Sequence, residues 1–215
     1  MLSRKYKIYA VLTGIFCANL CIGVAIGSKI VTIFGLTASL SAFTFPLTFF
    51  ITDTISEVYG KKASKTVVKA GLWCLIMMLI LTQIAIYFPG SEFYKNQKEF
   101  ETVFGITYRY ILAALAAYTI SQYFDVWIFH LLKDKTAGQK LWLRNNVSTV
   151  LSQFVDTAIF VVIAFGGIIP LIPLFTGQFV IKVVIAIIDT PFVYLLVANI
   201  KKKIKAAAEK EVILD

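Results

Sequence analysis

The chain has 215 residues, 59% of them hydrophobic, with a mean hydropathy of +0.81 and a formal net charge of +9. A soluble domain sits at about 45–50% apolar, so this composition excludes one and points to an integral membrane protein. The positive charge falls in short segments between apolar runs, a membrane-topology pattern rather than a nucleic-acid surface.

Apolar runs long enough to cross a hydrocarbon core of about 30 Å recur along the whole sequence. They predict an all-α integral membrane protein, one polytopic domain over 1–215, with six transmembrane helices at about 8–28, 38–59, 66–88, 105–132, 146–167 and 177–200. Arg4, Lys5 and Lys7 precede the first run, which continues past Asn19 to Ser28 without a convincing cleavage site and so reads as an uncleaved helix. Lys29 ends it and reads as a snorkelling lysine. Cys17 and Cys21 lie on one face, but no further Cys or His completes a metal set, so with Cys74 they read as packing residues.

Helix two carries Pro46 and ends in Thr52-Asp53-Thr54-Ile55-Ser56-Glu57-Val58-Tyr59-Gly60-Lys61-Lys62. Asp53 and Glu57 share a face one turn apart, where two carboxylates repel unless one is protonated or paired. Both are candidates for ion or proton coupling; Glu57 also reads as an ordinary interfacial charge. The acidic 89–104 connector, with Glu92, Glu99 and Glu101, suits the outside.

Helix four holds Asp125, a third candidate for coupling, and ends near His130, the only histidine. Ser121-Gln122-Tyr123-Phe124-Asp125 is echoed in helix five by Ser152-Gln153-Phe154-Val155-Asp156, although the two helices run in opposite directions. Chance, or a shared local solution for a polar face, accounts for the echo equally well. Helix five is the most polar span. Asn145, Ser148, Thr149, Ser152 and Asp156 recur at three or four residues and form one stripe, which in lipid must face other helices or water. Ser and Thr also mediate ordinary helix packing, but that explains Asp156 poorly. Helix six carries Gln178, Lys182, Asp189 and Pro191. Lys182 and Asp189 are about 10 Å apart by helical rise, so pairing Lys182 requires a carboxylate on a neighbouring helix, or the ligand.

Sixteen of the 21 basic residues fall on one side of this arrangement and four on the other, which predicts cytoplasmic termini. Asp53, Glu57, Asp125, Asp156 and Asp189 all lie in spans, where an aspartate at a helix centre costs about 2.5–3.5 kcal/mol on insertion scales. A mere anchor would carry none. There is no Walker-type glycine loop, no His-Glu-x-x-His and no Gly-x-Ser-x-Gly, so neither nucleotide hydrolysis, a metal site nor a serine nucleophile is expected, and no cofactor.

Phe45-Pro46-Leu47-Thr48-Phe49, the Thr52–Lys61 segment, Gln122-x-x-Asp125-Val126, the Leu143–Thr157 segment with Arg144, Asn145, Ser148, Thr149, Ser152, Gln153 and Asp156, and Asp189-Thr190-Pro191 after Lys182 together resemble the queuosine precursor transporters, in order, over about residues 15–200. The resemblance implies a non-enzymatic, multi-pass carrier of the bacterial cytoplasmic (inner) membrane. It would import 7-cyano-7-deazaguanine, 7-aminomethyl-7-deazaguanine or queuine for tRNA modification, with no direct nucleic-acid contact, and a homo-oligomer is compatible with it. A carboxylate can accept the adjacent ring N–H and exocyclic amine of such a base. Asn19, Asp53, Asn145, Ser152, Gln153, Asp156, Lys182 and Asp189 are therefore the substrate-binding candidates. The alternative is a substrate-binding subunit of an energy-coupling-factor importer for a vitamin-like or purine-like molecule; the family is similar to these in helix count and substrate type. An intramembrane enzyme would need two carboxyls aligned as a dyad, and a purely structural bundle would not need five.

Overall fold

The computed structural model describes the backbone of residues 4–214 and the side chains of residues 4–105 and 108–207; Lys210 of the basic tally lies outside the described side chains. Among the described residues the chain forms six helices and one hairpin: α1 (Arg4–Ile26), β1 (Ile30–Ile33), β2 (Leu36–Ser39), α2 (Ser41–Tyr59), α3 (Lys61–Tyr87), α4 (Gln97–Lys135), α5 (Leu141–Phe165) and α6 (Leu171–Leu214). Five helices, all but α2, are long and apolar enough to cross a membrane. α2 misses that mark because its 19 residues include Asp53, Glu57 and six Ser or Thr.

The surface explains the hydropathy. Trp73, Met77, Ile80, Leu81, Trp127, Phe154, Ile187 and Phe192 are exposed, while Asp53, Gln122, Asp125, Asn145, Gln153, Asp156 and Lys182 are buried. A large apolar exterior around a polar interior is the distribution that a hydrocarbon solvent selects.

The hairpin departs from the expected plain connector and shortens helix two at its start. Ile30-Val31-Thr32-Ile33 is β-branched throughout, and Phe34-Gly35 turns the chain with φ of 50° and 77°, the left-handed pair that two-residue hairpins favour. β1 and β2 pair antiparallel, Ile30 opposite Ser39 and Ile33 opposite Leu36. β2 lies against α6, where the Thr37 carbonyl occupies the place a side chain at Gly177 would take. Ser39 Oγ bonds the Gly27 carbonyl and pairs with Ser41 Oγ at 2.8 Å, fixing the hairpin to the end of α1 and the start of α2.

α1, α3 and α4 meet through Phe16, Leu20, Val67, Val68, Ala114, Ala117 and Tyr118. Gly71 admits Tyr118 and Phe16 to the α3 backbone, and the Tyr118 hydroxyl donates to the Val68 carbonyl at 2.7 Å. Gly60 alone separates α2 from α3, at φ +84°. α5 begins at Leu141, five residues before the expected start, so Arg144 belongs to the helix rather than to the loop.

Candidate functional site

The interior face of α5 sets the scale of the site. Arg144, Asn145, Ser148, Thr149, Ser152, Gln153, Asp156 and Thr157 are all buried. At 1.5 Å per residue they span about 20 Å of helix. α2 brings Thr48, Thr52, Asp53 and Ser56 to this column, α4 brings Ser121, Gln122 and Asp125, and α6 brings Gln178 and Lys182, all of them buried.

Asp156 is a paired charge. Lys182 Nζ lies 2.6 Å from Asp156 Oδ2 and 3.2 Å from Thr157 Oγ1, and both charged side chains are 2% exposed. The neighbouring carboxylate that Lys182 requires therefore comes from α5. The ammonium also sits 5.5 Å from the Phe45 ring centre, and Ser121 Oγ donates to Asp156 Oδ1 at 3.1 Å. Ser152 Oγ in turn donates to Asp125 Oδ1 at 2.8 Å. The two echoed motifs thus engage each other crosswise, each serine on the other helix's aspartate, as two copies of one pattern do when antiparallel helices pack face to face.

The second carboxyl centre has no cation paired to it among the described residues. Asp53 and Asp125 face each other within hydrogen-bonding reach, an arrangement that sequence alone gave no reason to place. Thr149 Oγ1 donates to Asp53 Oδ2 at 3.2 Å, and Ser148 faces Asp125. Asp189, half-buried on α6, is close enough to Asp53 for the two charges to interact. Along this interior several buried atoms lack a hydrogen-bond partner: Asp53 Oδ1, Asp125 Oδ2, Gln122 Oε1, Asn145 Oδ1, and both amide atoms of Gln153 and Gln178. Each such atom costs about 1–3 kcal/mol if left alone, so their concentration in one interior marks a place built for a polar occupant.

Glu57 stands apart, at the end of the column. Its Oε2 takes Lys133 at 3.0 Å and Arg144, and its Oε1 takes Lys201 at 2.8 Å, so one carboxylate ties α2 to α4, α5 and α6. Arg144 is buried, donates to the carbonyls of Gly138 and Gln139, and lies over the Phe129 ring at 5.3 Å. Asn19 is at the α1–α2 seam, where its amide donates to the Thr44 carbonyl at 2.9 Å.

Asp53, Asn145, Ser152, Gln153, Asp156 and Lys182 are thus gathered in one interior with Asp125, with Asp189 beside it, whereas Asn19 and Glu57 lie outside it. Ser121, Gln122, Thr149 and Gln178 join the interior without having been singled out as site residues. For Ser121 and Gln122 the signal was the echo itself; for Thr149 it was the α5 stripe; for Gln178 it was the one-turn spacing to Lys182. Among the described residues no cluster of His, Cys, Asp and Glu fits a metal ion.

The model of the family described as "Putative vitamin uptake transporter" matches residues 39–196. A Bacillus subtilis (strain 168) protein named "Probable queuosine precursor transporter" is 34% identical over 182 residues, covering 83% of this chain and 77% of that one. The chain belongs to the queuosine precursor transporter family. A second member, the Escherichia coli (strain K12) "Queuosine precursor transporter", is 24% identical over 135 residues, 63% of this chain and 58% of its own. No solved structure matches. Membership makes the chain a membrane transporter.

Proposed function

We propose that this chain imports a queuosine precursor, a 7-deazaguanine base, across the bacterial cytoplasmic membrane for tRNA modification. Six spans are proposed, α2 being the sixth because its polar groups face the bundle rather than lipid, with both termini on the cytoplasmic side where the basic residues cluster. The name of the Bacillus relative supports the cargo. The observation that carries the reading is the set of buried, unpartnered polar atoms between α2, α4, α5 and α6.

A 7-deazaguanine base offers a ring N–H and an exocyclic amine on one edge and a carbonyl beside them. Asp53 and Asp125 present free carboxyl oxygens for the two donors, while Gln153 and Gln178 each offer one amide donor and one acceptor. Phe45 provides an aromatic face beside Lys182. Lys182 is held by Asp156, so its role is to fix the charge of that carboxylate and to donate at the edge of the site. No described cation contacts Asp53 or Asp125, and a proton carried by this pair is the coupling ion in this reading. Glu57 and its three cations close the cytoplasmic end.

Equilibrium binding to the purified chain tests the site directly. Titration with 7-cyano-7-deazaguanine, followed by calorimetry, is expected to show saturable binding that Gln178→Leu and Asp53→Asn weaken at least tenfold. Wild-type affinity in both variants, with folding intact, would remove the base from this interior. Binding that needed a co-purifying ATPase complex would favour the energy-coupling-factor reading.

A further inference from the structure

α1 and α6 leave an open slot of about 460 Å³ between them at the end of the bundle that also carries the Glu57 cluster. Ile8, Val11 and Leu196 form its apolar wall, and Arg4, Lys7 and Lys203 stand at its mouth. The volume is within the range of small-molecule sites, and the slot faces outward from the bundle rather than toward the polar interior. Arg4 and Lys7 lie one turn apart on α1, so both present to the same side. None of the three cations is ion-paired among the described residues; Glu57, a half-buried carboxylate at this end, is already taken by Lys133, Arg144 and Lys201. Three free cations over an apolar trough match the two halves of one molecule: a negatively charged head group and a hydrocarbon chain.

We propose that the α1–α6 slot binds one anionic phospholipid, its phosphate held by Arg4, Lys7 and Lys203 and an acyl chain lying along Ile8, Val11 and Leu196. The lipid would complete the seam between the first and last helices. The proposal does not depend on the identity of the transported base.

Native mass spectrometry of the full chain, released from nanodiscs of equal phosphatidylglycerol and phosphatidylcholine, tests it. The wild type is expected to retain one phosphatidylglycerol in preference to phosphatidylcholine. Each cation replaced, in Arg4→Gln, Lys7→Gln and Lys203→Gln, should lower that preference about fivefold. Val11→Trp, which fills the exposed slot and leaves the charges in place, should abolish retention of the lipid. Lys61→Gln with Lys65→Gln, which removes two exposed cations from the α2–α3 corner, should leave retention unchanged. Equal retention of both lipids, retention persisting in Val11→Trp, or loss in the Lys61/Lys65 control would each overturn the proposal, the last by reducing it to general attraction of a basic surface. A dimer released without lipid would overturn it in favour of a second copy of the chain.

Discussion

Lys182 and Asp156 are each 2% exposed and 2.6 Å apart, which makes them interdependent in folding before any question of transport arises. Removing one partner leaves the other charge buried and alone, at a cost of about 3–5 kcal/mol. Lys182→Met and Asp156→Asn should each lower the unfolding free energy of the purified protein by that order. The double variant, with neither charge, should recover most of the loss in a thermal melt. If the proposed function holds, uptake should stay low in all three, and that separates a role in transport from one in stability. Ser121 and Ser152 serve different carboxylates, so Ser121→Ala and Ser152→Ala should each cost about 1–3 kcal/mol and add within about 0.5 kcal/mol, as chemical denaturation would measure.

At the scale of elements, the hairpin is the part most dependent on one residue. A side chain at Gly177 would meet the Thr37 carbonyl, a backbone atom that cannot swing aside. Gly177→Val should therefore push β2 off α6, and hydrogen exchange should speed up at residues 36–39 while the α4–α5 pair keeps its protection. The helices were legible in the sequence because long apolar runs leave little choice of structure in a membrane. Their ends were not: α5 begins at Leu141 because Arg144 finds partners inside the fold, where a charged residue otherwise reads as loop. The hairpin was missed because its two four-residue strands are too short to stand out beside apolar helices, although Phe34-Gly35 carried a turn signal. The α5 stripe and Asp156 could be read from spacing alone. That Lys182 needs a carboxylate on another helix could be reasoned too, but which helix is a tertiary fact. Arg144 gave no such hint, since spacing does not say which side of a helix a lone charged residue presents.

For the whole molecule, polar groups run from Gln178 near the hairpin to the cations around Glu57, closed by β2 at one end and by ion pairs at the other. The Glu57 cluster joins α2, α4, α5 and α6 through a single carboxylate, so Glu57→Gln should loosen all four helix ends together. In a chain with Cys17, Cys21 and Cys74 replaced by serine, a cysteine placed at Ser148 should react with a membrane-impermeant maleimide several-fold faster from the side that carries the Glu57 cluster once Glu57 is neutralised. Unchanged labelling would mean that the cluster braces the fold without closing the path.

The most direct test of import is queuosine in tRNA. The chain would be expressed in bacteria lacking both precursor synthesis and their own transporter, and fed 7-cyano-7-deazaguanine, 7-aminomethyl-7-deazaguanine or queuine at low concentration. The account predicts that wild type restores queuosine with at least one of these bases, and that Asp53→Asn, present in the membrane at the same level, does not. No restoration by well-expressed wild type with any of the bases would contradict it.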